Sequence, residues 1–262
     1  VQPIAAGPHL CKNHVMQTEL KSIPAFFLII LCSLQLRAQL LVATGCSKVI
    51  ITERSEIPAT CQAIPMTMLH DQQDKPYLYV ANKETGLKIY NITDNKKPKL
   101  VATVSTRQFG SLHVMNLAQQ GDFVYLALGN HFNNRQAPGM AVVDVSQPEQ
   151  PVFKSYWSQN GASGGSGIVQ VQGNFAFLGA MGNGLIILDI SDKTKIRFIS
   201  KFIPDINYPD PKPKKSLYNA RGMQVVNDLL YLCYDAGGLR IINIKDKANP
   251  LEIGRYSNPV MD

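Results

Sequence analysis

From about Pro58 onward, short apolar runs alternate with polar punctuation, and the runs come in sets of four. The clearest members are GLKIYNIT (Gly86–Thr93), GMAVVDVS (Gly139–Ser146), GLIILDIS (Gly184–Ser191) and GLRIINIK (Gly238–Lys245). Each is rich in β-branched residues and bounded by turn formers, the composition of a strand fitted to a half-buried pleat. A second strand precedes each one: YLYVAN from Tyr77, FVYLALG from Phe123, FAFLGAMG from Phe175 and LLYLCYD from Leu229. A further strand follows each: PKLVATVS from Pro98, PVFKSYWS from Pro151, IRFISKF from Ile196 and PLEIGRY from Pro250. Upstream of every pair an apolar stretch (AIPMTML, LHVMNLA, GIVQVQ, GMQVV) supplies a strand that opens the unit.

The leading glycines are 53, 45 and 54 residues apart. Four antiparallel strands recurring at that period predict an all-β protein built of β-propeller blades, because a β-sandwich does not repeat its sequence in this way. The expected blades are residues 58–106, 107–159, 160–217 and 218–262. Four blades are fewer than most single-chain propellers have, so the pattern reads as part of a larger propeller, and the chain as an N-terminal portion of a longer protein. Asn91, Asp144, Asp189 and Asn243 share one position in the repeat. They are expected to cap the turn after the third strand, side-chain oxygens accepting backbone N–H bonds. A metal or catalytic role would not need four copies, and the repeat position also accounts for the sequon Asn91-Ile92-Thr93.

Composition adds an address more than a chemistry. Hydrophobic residues make up 45% and charged residues 17%, which excludes a disordered, solvating chain. The net charge of +7 is scattered, and its densest cluster, Lys212, Lys214 and Lys215, is broken by prolines without interleaved aromatics. That is a solvated loop and not a nucleic-acid stripe, so no nucleic acid is expected as a partner. From Met16, a short segment holding Lys21 leads into the apolar run Ile23–Leu36. A run of that length suits a secretory signal and is short for a bilayer span. Residues 1–45 are thus expected to be upstream sequence plus signal, and residues 46–57 a tether. Ala43-Thr44-Gly45-Cys46 has the form of a lipobox, which would acylate Cys46 and place the protein at a cell surface, touching the membrane only through a lipid anchor. Cleavage after Ala38 is the alternative and would release a soluble exported form. In the body only Cys61 and Cys233 remain; they read as buried free thiols, with a bridge between them in an oxidising compartment as the alternative, and there is no paired-cysteine zinc pattern.

The repeat resembles the LVIVD repeat family: a glycine, an apolar strand ending near Asp-Val-Ser, a proline-containing turn and a last strand. Ser146-Gln147-Pro148-Glu149-Gln150-Pro151 and Asp246-Lys247-Ala248-Asn249-Pro250 carry the turn most clearly, while blade three has Thr194-Lys195-Ile196 where the proline belongs. The resemblance covers about residues 60–258. It implies a cell-surface or secreted β-propeller and carries no catalytic residue with it.

Two loops exceed the common repeat: GNHFNNRQAP (Gly129–Pro138) inside blade two and PDINYPDPKPKK (Pro204–Lys215) between blades three and four. Chain direction alternates in a blade, so the loop before strand one and the loop joining strands two and three emerge at one end. Both insertions fall in those loop classes, and insertions gathered on one face of a repeat protein mark a binding face. Counting back from the second strands puts His113, Gly167 and Arg221 level at the channel mouth, with Arg107 nearby and His131 and Arg135 supplied by the insertion. Histidine and arginines there would suit a small anionic ligand, a glycan or a surface protein. Asp205–Asp210 offers oxygen donors but lacks the glycine and closing glutamate of a calcium loop, and the glycine run Gly161–Gly167 has no lysine and opens no helix. No cofactor and no metal site is expected. The leading reading is a non-enzymatic binding, adhesion or scaffold module. The alternative is an exported hydrolase or lyase with His113 and Arg221 as acid/base and anion clamp.

Overall fold

The computed structural model describes residues 65–132 and 135–257. The expected signal, tether, Cys46 and Cys61 lie outside them. Residues 60–262 form one compact unit. Among the described residues no helix is long and apolar enough to cross a membrane.

The described residues include sixteen strands in four separate four-stranded antiparallel sheets, each in simple sequence order. Blade one holds β1 (Thr67–His70), β2 (Tyr77–Asn82), β3 (Gly86–Asn91) and β4 (Lys99–Val104). Blade two holds β5 (Val114–Gln120), β6 (Phe123–Leu128), β7 (Gly139–Asp144) and β8 (Val152–Ser158). Blade three holds β9 (Ile168–Gln172), β10 (Phe175–Gly179), β11 (Leu185–Asp189) and β12 (Arg197–Phe202). Blade four holds β13 (Gly222–Val226), β14 (Leu229–Cys233), β15 (Leu239–Asn243) and β16 (Leu251–Tyr256). Gly86 and Gly139 open third strands, and Gly184 and Gly238 stand one residue before them. The ladder shifts register at the same place in every blade, between the third and fourth residues after the repeat glycine, where the last strand carries one extra residue. A bulge conserved at one position bends and twists each outer strand alike.

The period of two puts alternate strand residues on opposite sides of a blade, and both sides are used. Tyr79, Leu87 and Ile89 of blade one meet Leu126, Ala141 and Val143 of blade two. Tyr125, Met140 and Val142 then meet Leu178, Ile186 and Leu188 of blade three, and Phe177, Leu185 and Ile187 meet Leu230, Leu232 and Ile242 of blade four. The core is therefore three layers between blades.

Polar ties mark the seams. Gln120 exchanges two bonds with the Gly173 backbone, at 3.0 and 2.9 Å, and Gln170 reaches the Met223 carbonyl (2.9 Å) and the Val225 N–H (2.8 Å). On the outer strands Ser155 donates to the Lys193 carbonyl at 2.7 Å, and Ser200, at the matching position, donates to the Lys247 carbonyl at 2.6 Å. Between blades one and two the buried Asp71 carboxylate accepts from the Tyr79 hydroxyl (2.6 Å) and from Gln119 (3.1 Å). Burial pushes the Asp71 carboxyl up, but these bonds and the N–H groups of Gln73 and Lys75 outweigh it and hold it below its ordinary value.

The four predicted caps take one geometry. Asn91, Asp144, Asp189 and Asn243 each accept through Oδ1 from the N–H two residues on, at 2.9, 3.0, 2.8 and 2.9 Å. The side chain does locally what the ladder can no longer do once the strand turns away.

Candidate functional site at the long-loop face

The blade-two insertion is organised by Gln136. Its side-chain oxygen accepts from the N–H groups of His113 (2.8 Å) and Asn130 (3.1 Å), and its amide donates to the Ser111 carbonyl (3.1 Å). Its backbone carbonyl accepts from Gly164 and Gly165, at 3.0 and 2.9 Å, tying the insertion to the glycine run that enters blade three. The two segments cross so closely that a Cβ on Gly165, whose φ is +67°, would lie 2.1 Å from the Gly129 carbonyl oxygen. The run of glycines thus serves a backbone crossing, not a phosphate cradle.

The second insertion is anchored from below by Arg240, which is wholly buried. Its guanidinium donates to the carbonyls of Asp205 (2.9 Å), Tyr208 (2.8 Å) and Gly237 (2.8 Å), and pairs with Glu252 at 3.1 Å. The Tyr208 ring lies between Arg240 and Arg255, 5.3 and 5.1 Å from their guanidinium carbons. The Asp205 carboxylate accepts from Asn207 and reaches Arg255 at 3.4 Å. Of the carboxylates considered as calcium donors, Asp205 thus helps hold this loop to blade four, while Asp210 accepts from the Lys212 N–H inside the loop.

Between the two insertions lies a cavity of about 510 Å³. His131 and Arg135 come to it from the β6–β7 loop, Asn183 from the β10–β11 loop, and Lys215, Asn219 and Arg221 from the approach to β13. No Asp or Glu is among the described residues that line it. Arg221 is fixed by Asp235, whose Oδ2 lies 2.8 Å from Nε and also accepts from Asn219 at 2.9 Å. Asn183 donates to the Ser163 carbonyl (2.9 Å) and accepts from Lys201 (3.1 Å). Burial and the positive charge of Lys215 lower the Lys201 ammonium below its ordinary pKa. Burial, then Arg221 and Lys83, depress His131, so its imidazole is neutral at physiological pH. Its Nδ1 is buried without a hydrogen-bond partner. A smaller opening of about 180 Å³ shares His131, Met181 and Arg221 with this cavity and adds Met66, Met115 and Gly167, the mouth of the space between the inner strands.

Three of the five sequence candidates, His131, Arg135 and Arg221, come together here. His113 does not stand level with Gly167 and Arg221. Counted back from the inner turn of each blade, Met115 is the counterpart of Gly167 and Arg221; the β5–β6 ladder then skips Met115 and pairs Val114 with Leu128, which leaves His113 one residue farther out. His113 sits instead beside Lys83 and Glu84 of blade one, where burial lowers its pKa, Glu84 opposes the fall and Lys83 adds to it. Arg107 is exposed in the short helical turn Thr106–Phe109 and lines neither opening. Cys233 is free, as expected, but exposed and not buried, because no described residue packs on the side of blade four that carries it. Sequence reasoning missed Gln136, whose role rests on an insertion fold that no repeat predicts. It read Lys215 only as solvated charge, although its place in the second insertion was the available signal.

Four repeat-built antiparallel blades with a cationic cavity among the loops at one end define a protein of the β-propeller class. The LVIVD repeat profile matches residues 76–106, 113–157, 163–202 and 219–258, more than half of the sequence. The chain belongs to the LVIVD repeat family. No curated protein matches it. Among solved structures it is similar to the computationally designed Ika8 protein, with a TM-score of 0.46 and 10% identity, over 69% of this chain and 46% of that one.

Proposed function

We propose that the protein is an exported, surface-associated binding module that holds a small anionic ligand, such as a carboxylate, a phosphate or an acidic glycan unit, at its long-loop face. The observation that carries this reading is the cavity to which Arg135, Lys215 and Arg221 contribute cations and no described lining residue contributes a carboxylate. Arg221 is held in place by Asp235 yet stays half exposed, so its remaining N–H donors can take a planar anion. Export is supported by the apolar run Ile23–Leu36 and by the lipobox ending at Cys46.

Titration calorimetry with inorganic phosphate, simple carboxylates and uronic-acid oligosaccharides tests it. The expected result is binding that weakens as salt is added and that loses about 1–3 kcal/mol in Arg221→Ala, with the melting temperature little changed. Loss of stability with unchanged affinity would make Arg221 a tie within blade four and end the proposal. The neutral imidazole of His131 beside Arg221 is the one feature that favours an exported hydrolase or lyase. Ligand consumed during the titration, and spared in His131→Asn, would identify that alternative.

A further inference from the structure

The smaller opening, of about 180 Å³, is built around one repeat position used by all four blades. Met66, Gly167 and Arg221 donate their backbone N–H groups to the carbonyls of Ala81 (2.8 Å), Gly179 (2.8 Å) and Cys233 (3.2 Å). Each of these acceptors is the fifth residue of the second strand in its blade. Met115, eight residues before Phe123, holds the same position in blade two. All four residues line the opening, where Thr67 adds one hydroxyl. The position reads Met, Met, Gly, Arg along blades one to four, so the repeat does not dictate its chemistry.

A third thioether comes from Met181, three residues before Gly184, where Lys83 precedes Gly86 and Asp235 precedes Gly238. Met181, Lys83 and Asp235 all have positive φ (50°, 29° and 44°), so the turn fixes this backbone and leaves the side chain free to differ. Asp235 uses that freedom to hold Arg221. The Met181 sulfur lies against Gly167, where an added Cβ would come within 3.3 Å of it. Gly167 therefore leaves open a space that a larger side chain would fill. Met115 and Met181 are nearly buried and Met66 half buried. The opening is thus apolar toward blades one to three and cationic at Arg221, and it shares His131, Met181 and Arg221 with the cationic cavity.

We propose that the two spaces form one site for an organic anion that carries an apolar group about the size of one aromatic ring. The anionic head sits against Arg135, Lys215 and Arg221, and the ring sits among Met66, Met115 and Met181. This inference rests on the anion site proposed above and narrows its ligand. The volume suits one ring, since an apolar cavity of about 150 Å³ holds a benzene molecule. Thioethers suit it too, because unbranched methionines adapt to a flat occupant and sulfur makes favourable contacts with ring edges. His131, neutral beside Arg221, adds an uncharged wall and not a further cation. An acidic sugar fits less well, because its hydroxyls would lose water against the methionines without gaining partners.

Titration calorimetry of the 262-residue chain with methylphosphonate and phenylphosphonate tests this, since neither is consumed by a hydrolase. Phenylphosphonate is expected to bind about tenfold or more tightly than methylphosphonate, the gain from burying most of one ring. Benzoate against acetate should repeat that preference with a carboxylate head, and glucuronate should bind no better than acetate. Met66→Gln makes the seat polar and Gly167→Val fills it, so each should cut the phenyl-to-methyl ratio by about fivefold. The ratio separates loss of the seat from loss of the fold, which weakens both ligands alike. Equal binding within both pairs overturns the inference and leaves the anion site standing. No binding of phosphate, methylphosphonate or acetate ends the anion site and this inference with it. A ratio that both variants preserve puts the ring elsewhere and overturns the inference, as does glucuronate binding more tightly than benzoate.

Discussion

At the residue scale the turn caps show how directly one side chain can be read. An Asp or Asn at the end of each third strand has its oxygen two residues from an N–H that the sheet no longer serves, and all four caps take that bond. Asp189 is the strongest of them: the Ser191 N–H and hydroxyl, and then Arg197, hold its pKa at about 2, below the ordinary 3.8. A folded-state value lowered in this way contributes stability that is present above the ordinary carboxylate pKa and lost as pH falls toward the folded one. Asp189→Ala should therefore cost about 1 kcal/mol at neutral pH, and the difference from wild type should shrink below the ordinary 3.8 and be lost only as pH falls through about 2, measured by urea unfolding at a series of pH values. The caps were legible because their cause is local. His113 was misplaced because the first strand of blade two has no sharp start in its apolar pattern: the residue eight before Phe123, as Gly167 is before Phe175 and Arg221 before Leu229, is Met115 and not His113.

At the scale of the element, the two insertions contribute to the site only because other parts of the chain hold them. Their presence and shared face follow from spacing and strand direction, which the sequence carries. Their anchors do not follow: Gln136 binds partners in two loops, and Arg240 occupies a position that is Ala141 in blade two and Ile186 in blade three. An arginine there looks like solvent-facing charge until the loop it supports is seen lying over it. Arg240→Ala would strand the Glu252 carboxylate and the carbonyls of Asp205 and Tyr208 without their donor. It is expected to destabilise the protein by about 3–5 kcal/mol by denaturant unfolding. It should also raise hydrogen exchange in residues 204–215 and weaken ligand binding through Lys215. Arg240→Met combined with Glu252→Gln, which removes the buried charge from both partners, should recover part of the stability but not the loop.

For the whole molecule, the blade repeat makes stability a sum of blades and the seams between them. Among the described residues, blades two and three are covered on both sides, and blades one and four on one side each. In a monomer, hydrogen exchange should consequently be slowest in β6, β7, β10 and β11 and faster in β2, β3, β14 and β15. Equal protection in all four blades would mean that the unit opens only as a whole. The fold was legible at this scale because four copies of one pattern are a signal that a single copy is not. Chemistry was hard to read for the same reason: the repeat fixes what the blades share, while a site lies in what one loop has and the others lack.

The seams carry one more consequence. Because every junction joins the same two sets of positions, no blade is matched to one neighbour alone. A duplicated stretch of about one repeat could enter at any seam, or one could be deleted, and the surfaces brought together would already fit. Only the particular ties, such as Gln170 with Val225 or Asp71 with Gln119, would have to be re-formed. In such a chain length is a variable that gene duplication can change in whole blades, while a loop-borne site like the one between the two insertions can arise at one place and leave the rest of the architecture as it was.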